Sequence, residues 1–471
     1  MDVKIIIPQN ISRQIQRKLF PPNSIHEQFG FILAGTSKYA DGCNLLCRKF
    51  FHADESCLVN QSGVSVAPDP RFVQFVYTGA RDSQSAIITL HTHPFCGYGV
   101  RFSGIDDQSE MESFSREVEI LGDGPHASIV LGRKSIDARW YDSVTRQIKP
   151  VNLIKVIGES GIEILKPTSS NHIYHEIAAR EVHHRQVLAF GESGQKLIQQ
   201  TKVAIAGCGG IGSVIFVLLV RLGVKDFILI DHDVVEMSNL NRLAGSRFAD
   251  VENGSLKVEM LAEYGLQINP EIRVAIIADS VFSEKAVFAL KSCDYIFGGF
   301  DAESPREMLN SFSVKHLTPI IDCGTGIQSG KEHSIEHAGG QVRTVIPGCG
   351  CLRCINGIDM DVAHMEQLPE KQRQFVIQRG YIAGEDEHAP AVAPLNGVIA
   401  NLAVTEFMGH VTGCKPLSRY VFYDFMKSLI IPVNFPKNPD CFSCSEDSLL
   451  ASGDKGILLP HYLVSEQLTQ V

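Results

Sequence analysis

A glycine-rich run, AIAGCGGIGS at residues 204–213, constrains the fold of this chain more than any other feature. It ends the apolar segment 202–207 and opens a second apolar stretch, 210–222. Glycines at a strand-to-helix turn let the backbone approach a phosphate, which the free N–H groups of the helix N-terminus can bind. The run therefore predicts a phosphate-binding turn between a strand and a helix. Its candidate binding residues are Gly207, Gly209, Gly210 and Gly212.

After residue 200, segments typical of strands alternate with segments typical of helices. The strand-like segments are 202–207, 226–231, 273–278, 294–301, 420–425 and 428–435. The helix-like segments are 210–222, one near 255–265 and one near 305–316. This alternation predicts an α/β domain with a Rossmann-like, doubly wound sheet.

The beginning of the chain predicts a separate α/β domain with a mixed sheet and helices. Its strand-like segments are 4–8, 29–37, 44–53, 85–93 and 126–132, and its helix-like segment is 105–121. A Pro, Ser and Asn cluster at 165–172 is typical of a linker, and 471 residues normally form more than one domain. We expect a first domain over 1–157, a linker over 158–175, a second domain over 176–445 and a C-terminal tail over 446–471 that could be a short docking segment.

Composition and charge exclude several classes of protein. Apolar residues make up 44% of the chain and charged residues 20%, as in ordinary globular proteins. The net charge of -10 argues against a general binder of nucleic acid or membrane surfaces. We find no signal-peptide pattern and no membrane-spanning run, so we expect a cytoplasmic protein. The 13 cysteines are an odd number, which favours reduced thiols and metal ligands over disulfides.

Charged and polar residues after the predicted strands indicate which nucleotide would bind. Asp231 ends a strand where an acid that binds ribose is expected. Asn239, Arg242 and Lys257 follow on the ligand side of the sheet. Two fixed cations suit a triphosphate, whose charge must be neutralised while its α-phosphate is attacked. Asp301 ends a later strand and is a candidate Mg²⁺ ligand. A nicotinamide-dependent dehydrogenase is the last alternative.

Several motifs in the same order resemble the MoeB/ThiF family, of the ubiquitin-activating type, over residues 176–435. They are R-Q-V-L-x-F-G, G-x-G-G-x-G, D-x-D-x-V-x-x-S-N-L-x-R, K-V-E and a D followed by R. The resemblance implies ATP-dependent adenylation of the C-terminal glycine of a ubiquitin-like protein. It implies that Asp231 binds the ribose and that Asp301 binds Mg²⁺. It also implies that the phosphates are bound by Asn239, Arg242 and Lys257. It also implies that Arg185 reaches the γ-phosphate from a partner subunit, and hence a homodimer.

Two C-x-x-C pairs, Cys351/Cys354 and Cys441/Cys444, predict a zinc site. Four thiolates form a tetrahedral site without an open position, so its role is structural. Cys349 is nearby and is an alternative ligand. The other interpretation is two unrelated pairs of buried thiols. The resembling family has the same arrangement.

Many members of that family pass the activated carboxyl group to a cysteine on a crossover loop. Here no cysteine occurs from residue 355 to residue 413. Either the adenylate is handed on directly, or a remote thiol such as Cys323 or Cys414 serves. We expect Cys323 to be a core thiol and Cys414 a loop thiol.

The stretch LHTHPFCGYGVRFSGIDD predicts a second metal site in the first domain. His91 and His93 are two residues apart, so on a strand they point to one face. Asp106 opens the following helix and can turn toward them. Three such ligands leave one position open, as in catalytic zinc sites. Ser103 could donate to a developing oxyanion, and Glu27 could act as the base.

The patterns E-x-x-G, H-x-H-P and S-x-x-D resemble the JAMM (MPN/JAB) metalloprotease family over residues 1–150. The resemblance implies cleavage of peptide or isopeptide bonds after ubiquitin-like C-termini. Eight residues separate Pro94 from Ser103, which is a longer spacing than in the family. This difference indicates either an inserted loop or a weakened site. Two histidines that only cap a strand are the alternative interpretation.

Both resembling families act on the C-terminus of a ubiquitin-like protein. A peptidase and an adenylating enzyme on one chain would raise the local concentration of the processed tail at the second site. We therefore predict an enzyme that matures or deconjugates a ubiquitin-like protein and adenylates it, with ATP, Mg²⁺ and Zn²⁺. A conjugating enzyme is a further partner, and a role in antiviral defence is implied by the resemblance alone. The alternatives are activation of a sulfur carrier for cofactor or cysteine biosynthesis, and a scaffold with a degenerate JAMM half.

Overall fold

A computed structural model describes residues 1–22, 24–170, 181–330, 334–369 and 390–455. Two α/β units, each built on one large sheet, account for these residues. We call residues 1–165 the first unit and the described residues from 181 onward the second unit. Within the described ranges, every helix is too short or too polar to span a bilayer.

The first unit has a nine-stranded mixed sheet in the order β11-β10-β1-β3-β2-β6-β7-β8-β9. Its strands are β1 (Asp2–Pro8), β2 (Phe29–Tyr39), β3 (Gly42–Ala53), β4 (Leu58–Gln61), β5 (Val66–Pro68), β6 (Ala86–Thr92), β7 (His126–Leu131), β8 (Ile136–Asp142), β9 (Gln147–Pro150), β10 (Leu153–Gly158) and β11 (Gly161–Leu165). Strands β4 and β5 form a separate two-stranded sheet. The helices are α1 (Gln9–Leu19), α2 (Pro70–Asp82) and α3 (Gly104–Leu121).

Local capping signals fix where two of these helices begin. Asp69 caps α2, because its carboxylate accepts a hydrogen bond from the backbone N–H of Arg71, and Pro70 occupies the first helical turn. Ser103 caps α3 in a reciprocal box with Asp106, in which each side chain accepts a bond from the other's backbone N–H. The box places the Asp106 carboxylate at the start of α3.

The second unit has an eight-stranded sheet in the order β14-β13-β12-β15-β16-β17-β18-β19. Its strands are β12 (Lys202–Ala206), β13 (Asp226–Ile230), β14 (Arg273–Ile277), β15 (Tyr295–Gly298), β16 (Ile320–Ser329), β17 (Ile335–Val345), β18 (Tyr420–Asp424) and β19 (Leu429–Pro432). Its helices are α4 (His184–Gln200), α5 (Gly210–Leu222), α6 (Phe248–Glu252), α7 (Lys257–Ile268), α8 (Glu284–Leu290), α9 (Glu303–His316), α10 (Met360–Glu366) and α11 (Ala393–Thr412). Helix α4 is kinked at Phe190 and Gly191.

The five strands β14, β13, β12, β15 and β16 are parallel, and the strands beyond them are antiparallel. In this sheet β12 comes first in sequence, and β13 and β14 follow on one side of it. The chain then crosses over, and β15 pairs with β12 on its other side. The carboxyl end of β12 is therefore a topological switch point, where open α/β sheets bind ligands. The prediction of a doubly wound α/β domain is confirmed.

The two units share a buried interface. Ile6, Leu46 and Ile157 of the first unit belong to the same apolar cluster as Ile228 and Leu309 of the second unit. Polar contacts cross the interface as well. Ser37 Oγ lies 2.9 Å from His316 Nδ1, and Lys155 forms a salt bridge with Asp294.

The predicted linker and tail both need correction. The linker prediction over 158–175 is wrong at its start, because Gly161–Leu165 form β11, which pairs with β10 across a tight hairpin. Residues 171–175 lie outside the described residues. In the predicted tail, residues 446–455 lie against both units, with the Asp454 N–H donating to Thr36 and the Gly453 N–H to Lys315. The rest of the tail, 456–471, is outside the described residues.

Candidate functional site

The glycine turn leads from β12 directly into α5, as the sequence predicts. Gly207 has φ +87°, and a Cβ at Gly212 would lie 2.0 Å from the Gly207 carbonyl oxygen, so both positions require glycine. Gly209 precedes α5 without a side-chain cap, and a Cβ there would meet open space. The first N–H groups of α5 therefore face an open site that suits an anion.

Asp231 braces this turn from the end of β13. Its carboxylate accepts hydrogen bonds from the backbone N–H groups of Cys208, at 2.7 Å, and Asp233, at 2.9 Å. The side chain is buried. The predicted contact of Asp231 with ribose remains a prediction, whereas its contact with the turn is a structural role that the sequence did not reveal.

Lys257 points back to the same edge of the sheet from the first turn of α7. Its Nζ lies 2.7 Å from Oδ2 of Asp233, whose side chain is half exposed. Asp233 was not among the predicted site residues, although it lies two positions after Asp231. The alternating D-x-D pattern was the available signal.

Arg242 and Asn239 reach the turn from the loop after β13. Arg242 packs its stem against Gly210, since a Cβ at Gly210 would lie 3.2 Å from Arg242 Cγ. Its Nη1 donates to the Ser238 carbonyl oxygen at 2.7 Å, which holds the guanidinium in place. Asn239 is buried and its Oδ1 accepts from the Glu236 N–H at 3.2 Å, so it shapes this loop.

Asn396, near the N-terminus of α11, is a second residue that sequence analysis missed. Its Oδ1 accepts a hydrogen bond from Thr325 Oγ1 at 3.0 Å, which turns its Nδ2 toward Gly210. A Cβ at Gly210 would lie only 2.4 Å from this Nδ2. The amide donor thus lies beside the first residue of α5, opposite the arginine loop.

Asp301 and Arg185 are both exposed. Asp301 follows β15 at the ligand-binding edge of the sheet, and Arg306 fixes this loop by donating to the Phe300 carbonyl oxygen at 2.8 Å. A carboxylate at this edge suits a Mg²⁺ ion that is shared with a phosphate. Arg185 lies in the first turn of α4. Its predicted contact with a γ-phosphate depends on a second subunit and stays a prediction.

The four cysteines of the two C-x-x-C pairs converge in space. Cys351 Sγ lies 3.7 Å from Cys441 Sγ, and Cys354 Sγ lies 3.4 Å from Cys444 Sγ. These distances are too long for disulfides. They are close to the ~3.8 Å edge of a zinc–thiolate tetrahedron with bonds of ~2.3 Å.

The donor set and the acidity of this cluster also suit zinc. A hydrogen bond from the Cys444 thiol lowers the pKa of Cys351 to about 6, which favours the thiolate that a metal needs. Cys349, the alternative ligand, lies outside the group of thiols that could share one ion. The cluster therefore fits a closed site made by the four predicted cysteines.

In the first unit, the structure brings His91, His93 and Asp106 together as the sequence predicts. His91 Nε2 lies 3.4 Å from Asp106 Oδ1, and His93 Nε2 lies 3.6 Å from Asp106 Oδ2. The Nε2 of His91 is buried and has no hydrogen-bond partner among the described residues. A buried, unsatisfied nitrogen is costly, and a metal ion at this point would satisfy it.

Glu27 is buried beside this cluster, where its Oε1 is 3.7 Å from His93 Nε2. Burial raises the pKa of Glu27 to about 7, while His91 lowers it and Asp106 raises it. Burial also lowers the pKa of His93, which favours the neutral imidazole that a metal would need. A carboxyl group that titrates near neutrality is suited to accept and return a proton.

The long spacing between Pro94 and Ser103 forms an anchored loop. The backbone N–H of Arg133 donates to the Cys96 carbonyl oxygen, and the Val100 N–H donates to Ser135 Oγ. The loop thus packs on the β7–β8 turn. Ser103 Oγ caps α3, and its hydroxyl proton remains available for the predicted oxyanion contact.

The glycine turn at the switch point, with cations held around it, defines the second unit as an α/β nucleotide-binding domain. The chain belongs to the ThiF family, whose family model matches residues 183–443. This match confirms a ThiF/MoeB-type, Rossmann-like domain in the second unit. It does not extend over the first 182 residues.

Two curated relatives are similar to more than half of the chain. A SAMP-activating enzyme E1 of Haloferax volcanii is 26% identical over 258 residues, which are 54% of this chain and 84% of the relative. The molybdopterin-synthase adenylyltransferase of Escherichia coli is 27% identical over 270 residues, which are 56% of this chain and 96% of the relative.

The chain is also similar to a dehydratase and to the solved structure of MccB. A tRNA threonylcarbamoyladenosine dehydratase of Escherichia coli is 30% identical over 136 residues, covering 29% of this chain and 50% of that protein. Among solved structures, E. coli MccB is 22% identical with a TM-score of 0.46, covering 58% of this chain and 75% of MccB.

Proposed function

We propose that the second unit uses ATP and Mg²⁺ to adenylate the C-terminal glycine carboxylate of a ubiquitin-like protein. The observation that carries this proposal is the arrangement of two fixed cations, Lys257 and Arg242, around the open glycine turn. The two relatives named for activating or adenylylating proteins support it, because each is covered over most of its length.

The reaction joins a carboxylate oxygen to the α-phosphorus of ATP and breaks the bond from that phosphorus to the pyrophosphate oxygen. Two anionic groups must approach each other, so fixed positive charge lowers the barrier. The N–H groups after Gly209 bind phosphate oxygens, and Arg242 and Lys257 balance the charge of the leaving pyrophosphate. Mg²⁺, when bound at Asp301, supplies further charge neutralisation.

An apolar hairpin at the edge of the second sheet supplies a surface for the protein substrate. Strand β19 is exposed along its whole length and carries Leu429, Ile430 and Ile431, and Phe422 and Met426 lie nearby on the same hairpin. An unpaired apolar edge strand is a site for strand addition or docking by another protein. We propose that the ubiquitin-like partner docks here.

We further propose that the first unit is a JAMM-type zinc peptidase that matures or releases the same partner. The supporting observation is the cluster of His91, His93 and Asp106 beside the buried Glu27. Zinc, when bound by these three ligands, supplies a Lewis acid with one open position. Glu27 takes a proton from water as the water oxygen bonds to the carbonyl carbon, and it returns that proton to the leaving amine as the amide C–N bond breaks. Ser103 donates to the oxyanion that develops on the carbonyl oxygen.

The interface between the units supports their action as one enzyme. Apolar packing, the Lys155–Asp294 pair and residues 446–455 hold the two units together. We propose that the peptidase unit ends near residue 165 and the adenylating unit near 445, with a homodimer formed through the latter. We also propose that the Cys351 cluster holds a structural zinc.

Sulfur-carrier activation is the second candidate, and the positions of the thiols favour it over a thioester route. Cys323 is fully buried, and this burial raises its pKa well above the usual range. Cys414 is exposed just after α11. Cys323 is therefore inaccessible to the adenylate. A route without a thioester transfers the acyl group directly from the adenylate to sulfide or to an amine, and AMP is the leaving group.

Pyrophosphate exchange into ATP tests the main proposal. We expect exchange only in the presence of a ubiquitin-like protein that ends in a free glycine carboxylate. Failure with every such partner, combined with no effect of Asp301→Ala on nucleotide binding, would count against it. Incorporation of labelled sulfide into the partner would select the sulfur-carrier route.

A further inference from the structure

The cavity beside His91 extends away from the cluster as a groove. Its volume is about 830 Å³, and it is lined along α3 by Asp106, Ser109, Ser113 and Arg116. These residues recur every three or four positions, so they lie on one face of the helix. The groove therefore follows α3 from its N-terminus toward its C-terminus.

The opposite wall of the groove comes from β5 and α2. Val66 and Val73 give this wall an apolar surface, and Arg81 lies at the end of α2. Tyr77 of α2 donates a hydrogen bond to Glu117 of α3 at 3.1 Å, so the later turns of the two helices lie side by side. The groove thus has the His91 cluster at one end and two arginines, Arg81 and Arg116, at the other.

Helix geometry gives the length of the groove. Arg116 follows Asp106 by ten residues, and a rise of ~1.5 Å per residue places them about 15 Å apart along α3. An extended peptide covers ~3.3 Å per residue, so four or five residues span this distance. One tail of this length therefore reaches from the His91 cluster at one end of the groove to the two arginines at the other.

The far end of the groove carries two arginines that lack a close ion pair within the described part of the chain. Among the described residues, Arg116 forms no ion pair, and Arg81 approaches only the exposed Asp82, at 3.9 Å. The neighbouring Glu117 is fully buried, and its carboxyl group is bound by the Tyr77 hydroxyl on the inner side of α3, whereas Arg116 is exposed.

Glu110 is the other acidic group that lines the cavity beyond Asp106 and Glu27. It is bound by Arg139, with 2.6 Å between its Oε2 and Arg139 Nε, and by the Ser128 hydroxyl. It is therefore already neutralised. The two arginines are the charges in this part of the groove that remain available to a ligand.

We infer that the groove binds an extended tail with an acidic side chain four or five residues before the bond that is cut, and that Arg81 and Arg116 recognise this side chain. The inference rests on the proposed peptidase function. An enzyme that both matures and deconjugates one partner always meets the same tail on the N-terminal side of the bond that is cut. We therefore place the acidic residue in that tail, before the bond.

A peptide series tests this inference on the full chain loaded with Zn²⁺. The peptides end in Gly-Gly joined to a fluorogenic amine, and carry Glu, Ala or Lys at the fifth residue before the scissile bond. Cleavage gives kcat/KM, and fluorescence anisotropy of the same sequences with the Glu27→Gln variant gives binding without turnover. We expect the Glu peptide to be preferred over the Lys peptide by about tenfold in both measurements, as for two exposed charge pairs.

Charge reversal makes the test specific. Arg81→Glu with Arg116→Glu should invert the preference toward the Lys peptide, whereas Arg116→Lys should keep the original order. Arg13→Glu, an exposed substitution on α1 outside the cavity, should change nothing. Equal cleavage of all three peptides would overturn this inference and leave the peptidase proposal standing. If no peptide is cleaved or bound, the inference and the peptidase proposal are both overturned.

Discussion

Lys257 Nζ lies 2.7 Å from Asp233 Oδ2, at the edge of the sheet where the glycine turn begins. The lysine side chain is 12% exposed, and its acidic partner is 51% exposed. The ammonium group is thus held at a fixed position while its partner remains open to solvent. An incoming phosphate meets a cation that needs no further ordering, which is the arrangement that stabilises developing charge.

Removal of this cation should slow the chemistry more than it weakens binding. We expect Lys257→Ala to lower the rate of pyrophosphate exchange by roughly 100-fold or more, because one preorganised charge contact to a transition state contributes on that scale. Lys285→Ala, an exposed substitution on α8, is the matched control and should leave the rate unchanged. Equal rates for the two variants would contradict the role of Lys257.

Zinc content distinguishes two intact metal sites from one. We expect two zinc ions per chain in the native protein, measured by atomic emission after gel filtration. His91→Ala and Cys354→Ser should each retain one ion, and the double variant none. A native content of one that His91→Ala leaves unchanged would show that the His91 cluster does not hold zinc.

Loss of the cysteine cluster should destabilise the second unit. Cys351, Cys441 and Cys444 are buried in an apolar cluster that includes residues of both units. Structural zinc contributes several kcal/mol to folding, so we expect Cys354→Ser to lower Tm by roughly 10 °C. Cys414→Ser changes an exposed thiol and is the control. Similar Tm values for the two variants would argue for unrelated thiols.

His316 should make the interface sensitive to acid. Burial lowers its pKa from 6.5 to about 3, with smaller contributions from Lys291 and Lys315, and the ring lies against Ser37. The unfolded chain binds a proton below pH 6.5 while the folded chain does not. Folding is therefore destabilised as pH falls from 6.5 toward 3, by up to roughly 1.4 kcal/mol per pH unit.

Urea unfolding at pH 7, 6 and 5 measures this effect. We expect His316→Asn to show a smaller loss of stability on acidification than the native chain. His232→Asn, at an exposed position, should keep the native slope. Identical slopes for all three proteins would mean that His316 is not the responsible group.

The apolar hairpin provides a test of partner docking that does not touch the nucleotide site. Ile430→Glu places a charge on the exposed edge strand, where Ile430 is 56% exposed. We expect the KM for the protein partner to rise about tenfold or more while the affinity for ATP stays constant. Val144→Glu changes a more exposed apolar residue in the first unit and should have no effect. A normal KM for Ile430→Glu would exclude this surface.

Local signals made much of the fold and of both sites predictable. The glycines around residue 207 and the helix after them have a short-range signature, and so do the two histidines separated by one residue. The convergence of the four cysteines was predictable because two C-x-x-C pairs are a common arrangement of zinc ligands. In each case the residues that form the site are a few positions apart in the sequence, so their spacing indicates the site.

Contacts between distant segments could not be predicted in the same way. Asn396 meets Gly210 only because α11 packs on α5, and α11 is apolar on most sides, so it lacks an amphipathic period. Strand β11 was missed because the linker-like residues follow directly after it. The pairing of Ser37 with His316 likewise joins residues 279 positions apart and leaves no local pattern.

Transfer of label from ATP to the partner tests whether the second unit adenylates a C-terminal glycine. ATP labelled at the α-phosphate is mixed with the enzyme and a ubiquitin-like protein that ends in glycine, and the reaction is quenched in acid after one turnover. We expect labelled AMP on the partner, and we expect the label to be lost when the partner's terminal carboxylate is amidated or when Lys257 is replaced by alanine. Label on the amidated partner, or no label on any glycine-ending partner while ATP binds, would contradict this function.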